Sequence, residues 1–269
     1  MSNERLRADA RAIWDAGVAA VRPDDLVRQA VTKNRPLADA LAAAERIIVV
    51  GGGKAAAGMA AGFEEALADR LDRISGHVNV PAGSERTLRR IQVMRVRPAG
   101  SNQPTPAAVA QTGEMLKLVA AAGSADAVVC LLSGGGSALL PAPPEGVTLE
   151  DKQTVTRLLH ASGATIGEMN AVRKHLSQFK GGGLVRASKA GRLFGLIISD
   201  VVGDPLDVIA SGPTSPDPTT FADALAICRR YNLLDRIPDS IRRRLERGAA
   251  GEVPETLKSL PANVQNLIL

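Results

Sequence analysis

A chain of 269 residues, 45% apolar and with mean hydropathy near zero (+0.02), holds enough apolar material for a substantial core, which excludes a disordered protein. A net charge of +5 and a pI near 9.5 would suit nucleic acid, but aromatic residues are only 2% of the chain, with one Trp (Trp14) and one Tyr (Tyr231). Nucleic-acid binding is therefore excluded in favour of an anionic small molecule. No apolar run approaches the roughly 18–20 residues of a membrane helix, and the charged start MSNERLRADARAIWD lacks the apolar core of a signal peptide, so the expectation is a cytoplasmic protein with no membrane partner.

In chain order, Leu6, Ile13, Trp14, Gly17, Val18 and Val21 recur at helical spacing over 5–21, predicting an amphipathic opening helix closed by Arg22 and Pro23. RIIVV (46–50) reads as a buried strand and 54–71 as the helix leaving it. GHVNV (76–80) and IQVMRV (91–96) read as further strands, and 105–122 as a helix capped by Thr105 with Pro106 in its first turn. AVVCLL (127–132) is the next strand. TLED (148–151) and TIGE (165–168) are capping-box patterns, each opening a helix. LFGLIIS (193–199) predicts a strand, 219–231 a helix, IRRRLERG (241–248) a solvated helix face, and the closing VQNLIL the start of a strand. Continuous apolar strands separated by helices imply an α/β fold, with a mainly parallel sheet covered by helices on both faces. Cys130 and Cys228 sit in apolar patterns and read as buried thiols, and His77, His160 and His175 lack zinc-ligand spacing.

Ligands of such sheets bind beyond the carboxyl ends of the strands. Three loops fall there. Gly51, Gly52, Gly53 and Lys54 follow the first strand, and glycine backbone at a helix amino terminus can approach an anion while the lysine adds a charge. This loop is neither a Walker A motif nor a clean dinucleotide fingerprint. Ser133, Gly134, Gly135, Gly136 and Ser137 follow the fourth, offering amides and hydroxyls with no nearby histidine to activate a serine nucleophile. SDVVGDP (199–205) brings Asp200 and Asp204, with Asp207 just beyond; these carboxylates can hold Mg²⁺ or take a proton from an alcohol. Between the last two loops, Asn170, Arg173, Lys174 and Ser177 share one helix face, and Ile166, Met169, Val172 and Leu176 another. Lys180 stands beside the glycine turn that follows, so a cationic face borders the loops. Cationic loops beside carboxylates point to magnesium-assisted phosphoryl transfer, whose spread of charge needs cations, amides and a metal more than a covalent nucleophile.

The stretches VVGGGKAA, LLSGGGSALLPAP, LEDKQTVTRLLHASGATIGEMNAVRKHLSQFKGGGL and IISDVVGDPLDVIASGPTSPDPTTFADAL resemble the type II, MOFRL-containing glycerate 2-kinases, a family also labelled hydroxypyruvate reductases. The resemblance covers nearly the whole chain. It implies transfer of the ATP γ-phosphoryl group to the 2-hydroxyl of D-glycerate with Mg²⁺, in a cleft between a Rossmann-like amino-terminal domain and a smaller carboxy-terminal one, with Lys54 in the active site. On this reading Lys54, Asp200 and Arg173 carry the chemistry. Gly51, Gly52, Gly53, Ser133, Gly134, Gly135, Gly136, Ser137, Asn170, Lys174 and Lys180 bind substrate or nucleotide, and Asp200 and Asp204 hold the metal.

The chain departs from the family pattern at two places. NQPTPA puts Gln103 and Ala107 where a histidine and an aspartate commonly stand, and Gly167 replaces a frequent histidine. Residues 1–269 correspond to the family's amino-terminal domain, with a sub-boundary expected near 235, and the MOFRL domain is expected to lie outside this chain. Two other readings stay open: a truncated or non-catalytic module that binds an anion or nucleotide, and an NAD(P)H-dependent hydroxypyruvate reductase. The reductase would need an acidic residue downstream of the glycines, where Glu64 and Glu65 lie. The sequence leaves a homodimer open.

Overall fold

The computed structural model describes residues 3–269. Helix α1 (Asn3–Ala20) is followed by α2 (Pro23–Lys33) and α3 (Arg35–Ala43). The sheet region then runs β1 (Ile47–Gly52), α4 (Ala56–Ala66), β2 (Ile74–Pro81), β3 (Gln92–Arg97), α5 (Pro106–Ala120) and β4 (Ala127–Leu132). Next come α6 (Gly136–Leu139), α7 (Leu149–Ala161), α8 (Ile166–His175), α9 (Gly183–Ala187) and β5 (Arg192–Ile197). The chain ends with α10 (Phe221–Arg230), α11 (Asp239–Ala249) and β6 (Val264–Ile268).

All strand pairs are parallel, in the order β3-β2-β1-β4-β5-β6, so the expected parallel sheet is present. Alternation along β1 explains its continuous apolar run. Ile47 and Val49 pack into one cluster with Val27 and Val31 of α2, Leu37 and Leu41 of α3 and Phe63 of α4. Ile48 and Val50 pack into the other with Met115 and Val119 of α5, Phe179 and Leu184. A strand covered on both faces has no polar side to show. The closing VQNLIL supplies β6, the edge strand beside β5.

A third cluster lies apart from the sheet and joins α7, α8, α10 and α11 through Val155, Leu159, Val172, Leu176, Phe221, Leu225, Ile241 and Leu245. Both predicted capping boxes form, at Thr148 with Asp151 and at Thr165 with Glu168. A third, Thr220 with Asp223, opens α10. Each fixes where its helix starts. The cluster therefore holds α8 in one position beside the sheet edge.

Three expectations need correction. The apolar residues of α1 do not enter the core: no residue of α1 is buried, and Ile13 and Trp14 are 75% and 71% exposed. The layer over α4 is supplied by α2, which the sequence pattern left unassigned. IRRRLERG is not solvated all round, because Ile241, Leu245 and Gly248 are buried and Arg244 turns inward, its Nε donating to the His175 carbonyl at 3.0 Å. Ile166 leaves its predicted apolar face and is 60% exposed, while Val172 and Leu176 are fully buried. Cys130 and Cys228 are free buried thiols, and burial pushes Cys228 up to about 11. Among the described residues no helix is long and apolar enough to cross a membrane.

Glu64 on α4 is 2% exposed, and its carboxylate accepts from three consecutive backbone amides, Arg89 at 2.8 Å, Arg90 at 2.7 Å and Ile91 at 2.7 Å. Those amides lead into β3, so one side chain sets the entry of an edge strand. Replacing the acid by its amide trades one acceptor oxygen for a donor that faces an N–H. Glu64→Gln is expected to lower stability by about 2 kcal/mol, the scale of a hydrogen bond to a charged group. Urea unfolding and faster amide exchange at Arg89–Ile91 would measure it, and an unchanged midpoint would contradict it.

Candidate functional site

The carboxyl ends of β1, β4 and β5 meet at one edge, and the three predicted loops converge there. The glycines after β1 serve that convergence. A Cβ on Gly53 would collide with Ser133 Oγ, which the backbone φ of 154° leaves no room to avoid. The amides of this loop are used inside the protein: Gly53 N donates to Asn79 O at 3.1 Å, Lys54 N to Gly134 O at 2.9 Å and Ala55 N to Ser133 Oγ at 3.0 Å. Gly53 therefore does not turn its amide to an anion, Gly51 and Gly52 belong to β1 itself, and Ser133 is a tie between loops. From this loop only the exposed side chain of Lys54 is offered outward.

The second loop stays available. The amides of Gly134 and Gly135 donate to no group among the described residues. Gly135 takes a left-handed φ of 81°, and a methyl group placed on it would stand 3.7 Å from Lys54 Cγ and 3.8 Å from Arg97 Nη2, so it lies between two cations. Arg97, at the end of β3, is 4% exposed, and neither its Nε nor its Nη1 has a hydrogen-bond partner among the described residues. Burial lowers its pKa. The Asp200 carboxylate overhangs Gly134 so closely that any Cβ there would strike it. Asp204 is exposed on the same loop with a left-handed φ of 49°, and among the described residues no cluster of three or more His, Cys, Asp or Glu side chains forms a metal cage.

Ser137 opens the other half of the site. Its Oγ accepts from Arg173 Nη2 at 2.6 Å and Lys180 Nζ at 3.0 Å, and its carbonyl accepts from Lys180 Nζ at 2.6 Å. With both acceptor sites of that oxygen filled, the Ser137 proton points to Ser211 Oγ at 3.1 Å, and Ser211 in turn donates to Asn170 Oδ1 at 3.4 Å. A serine wired in this way orients cations and has no base to make it a nucleophile. Ser211 is held there by a strained turn in which Ala210 (φ 51°), Ser211 (φ 63°) and Gly212 (φ 62°) are all left-handed. Such backbone costs on the order of 1–3 kcal/mol per non-glycine residue and tends to persist at functional sites.

Beside Ser137 lies a cavity of about 140 Å³ lined by Lys152, Arg173 and Lys180, with Asn102 and Gln103 at its mouth. No carboxylate lines it. Burial lowers the pKa of Arg173, and burial together with Arg173 and Lys152 holds Lys180 well below its usual value.

The edge thus brings together Lys54, Ser133, Gly134, Gly135, Gly136, Ser137 and Asp200, while Arg173 and Lys180 meet at Ser137 and Asn170 joins them through Ser211 and Arg173. Lys174 is placed elsewhere. It is buried, and its Nζ donates to Asp207 at 3.0 Å and Asp217 at 3.2 Å, so it fastens α8 to the loop after β5 and is not free for a ligand. Ser177 lies past the end of α8, where its Oγ accepts from the Phe179 and Lys180 amides. Arg97, Lys152 and Ser211 were not singled out by the sequence. The paired left-handed positions of Ala210 and Ser211 sit just before a glycine, ASGP, which is the one local signal for Ser211.

The family described as a domain of unknown function, DUF4147, matches residues 9–246 of the chain. A glycerate 2-kinase of Pyrococcus horikoshii is 45% identical over 224 residues, covering 83% of this chain and 49% of that protein. A protein of Agrobacterium vitis that bears a hydroxypyruvate reductase name is 43% identical over 256 residues, 94% of this chain and 55% of that one. The crystal structure of a glycerate kinase from Thermotoga maritima superposes with a TM-score of 0.83 at 36% identity, over 98% of this chain and 59% of that chain. The chain spans about half the length of the curated relatives it matches. Sequence and fold agree, and the chain belongs to the DUF4147 family, among relatives that include proteins named as glycerate kinases.

Proposed function

We propose that this chain is the amino-terminal α/β half of a glycerate 2-kinase, moving the γ-phosphoryl group of ATP to the 2-hydroxyl of D-glycerate to give 2-phosphoglycerate and ADP. The observation that carries the reading is the set of cations at one sheet edge, Lys54 and Arg97 beside two open glycine amides and Arg173 and Lys180 on the neighbouring Ser137, in a chain whose relatives bear that name. The 2-oxygen of glycerate forms a bond to the γ-phosphorus as the bond to the β–γ bridging oxygen breaks; that oxygen leaves on ADP, and the 2-hydroxyl proton passes to a carboxylate of the Asp200 loop. Negative charge spreads over the equatorial oxygens. Lys54 and the Gly134 and Gly135 amides stand where that charge develops, which is where fixed donors help most.

Mg²⁺ suits this edge because the ion takes one or two carboxylates together with substrate phosphates, and needs no all-protein cage. Asp200, which overhangs Gly134, would hold it, with Asp204 as a second carboxylate on the same loop. When bound, the ion neutralises phosphoryl oxygens. The reductase reading loses its acidic residue: Glu64 is buried under three backbone amides, and Glu65 pairs with Arg28 at 3.1 Å.

Calorimetry on the chain is expected to show binding of Mg-ATP and of D-glycerate at millimolar concentration, and silence for both would contradict the proposal. Lys54→Ala is expected to leave the thermal midpoint within about 1 °C, as an exposed loop substitution does. In the phosphoglycerate-forming assay of a full-length enzyme that contains this chain it should cost on the order of 100-fold, the effect of removing one transition-state contact. Lost stability with unchanged turnover would make Lys54 structural, and NADH oxidation by hydroxypyruvate without phosphoglycerate formation would favour the reductase.

A further inference from the structure

Lys152 projects from α7 into the cavity beside Ser137. It is 9% exposed, and its Nζ has no hydrogen-bond partner among the described residues. The charged groups facing it are all positive: Arg173 on α8, Arg244 on α11 and Lys180 on the turn before α9. Arg173 and Lys180 are already tied to Ser137, so they cannot turn away, and no acid on the lining offsets them. An unpaired buried ammonium is costly, and three cations lining one small cavity are costlier. Such a space is completed by an anion. Burial, with Arg173 and Arg244, holds the Lys152 pKa down at about 7, so this lysine exchanges its proton where a bound anion would decide its state.

Size and surroundings narrow the guest. The cavity volume of about 140 Å³ is close to that of a void that just accepts benzene, about 150 Å³, so a three-carbon acid fits and a nucleotide does not. On the kinase reading the donor phosphates would take a different seat, where Lys54, Arg97 and the free amides flank Gly135 and Asp200 would bring a metal. We infer that the cavity is the seat of the acceptor's carboxylate, with the Lys152 ammonium as the group that pairs with it and Arg173 and Lys180 as its fixed flank. Asn102 and Gln103 at the mouth offer amide groups to the acid's hydroxyls. The identity of the acid as glycerate rests on the kinase reading above, whereas recognition of a small carboxylate does not.

Calorimetry of the 269-residue chain with D-glycerate, glycerol, inorganic phosphate and Mg-ATP, repeated on Lys152→Met and Lys152→Arg, tests this. D-glycerate should bind and glycerol, which has hydroxyls but no carboxylate, should not. Lys152→Met should weaken D-glycerate at least tenfold and change Mg-ATP less than twofold, with Lys152→Arg recovering part of the loss. In the parent, D-glycerate affinity should fall by up to tenfold per unit above pH 7 as Lys152 loses its proton. In Lys152→Met the fall that begins near pH 7 should be gone, leaving only what Lys180 contributes at its own pKa. Without any anion, Lys152→Met should melt higher than the parent, because an unpaired buried charge is gone, so lost binding is not lost folding. Unchanged glycerate affinity in Lys152→Met, or no glycerate binding by the parent, overturns the inference. So does a result in which Lys152→Met weakens phosphate and Mg-ATP while sparing glycerate, since the cavity would then be the donor's seat. Glycerate bound through Lys152 with no binding of Mg-ATP would sink the kinase reading and leave the carboxylate seat standing.

Discussion

Three cations, Lys152, Arg173 and Lys180, are enclosed around one serine with no acid among them, and much of the surrounding structure exists to keep them there. Their burial, and after it their repulsion, has a signature in stability. A lysine with a folded pKa of about 7 and an ordinary value of 10.5 is charged in both folded and unfolded states below pH 7, where its burial costs the fold fully. Between about 7 and 10.5 the unfolded chain binds the extra proton, so stability rises with pH across that window. An anion in the cavity removes the same penalty at constant pH, which couples ligand binding directly to folding.

The devices that hold this arrangement lie outside it. The helical cluster of α7, α8, α10 and α11 positions the Lys152 and Arg173 backbones, and the buried pairs of Lys174 with Asp207 and Asp217 fasten α8 to the loop after β5. Removing one partner of a buried pair leaves an uncompensated charge, so these contacts fix one geometry more than they add stability. The strained turn at Ala210 and Ser211 presents a hydroxyl that sets the direction of the Ser137 proton. On the opposite side of the same loop, Gly134 and Gly135 leave their amides open between Lys54 and Arg97. One six-residue run, SGGGSA, thus carries the open amides of Gly134 and Gly135 and, two residues on, the serine that ties Arg173 and Lys180.

The fold was legible because its signals are local. Apolar runs such as AVVCLL imply strands covered twice, and Thr148 and Thr165 announce their helices through carboxylates three residues on. The converging loops followed from strand ends alone. What Lys54 and Lys174 do was not local. Both are lysines in promising surroundings, but the partners of Lys174 lie 33 and 43 residues away, and only the folded chain shows that one lysine is bound and the other free. The Gly53 amide departs from the sequence expectation for the same reason, since its acceptor, the Asn79 carbonyl, belongs to another strand. Lys152 and Arg97 gave no sign because each sits in an ordinary pattern, a helix after a capping box and an edge strand. Their lack of partners is a property of burial that sequence spacing does not carry. The apolar stripe of α1 was legible as a helix but not as an exposed one.

Lysine side-chain NMR, following the Cε and Nζ resonances of the chain from pH 5 to 11, tests most directly whether these charges are held unpaired. The account predicts a lysine that titrates near 7 in the anion-free chain, is absent from Lys152→Met and moves to higher pH when D-glycerate is added. Lysines that all titrate near 10.5, with no response to the acid, would contradict it.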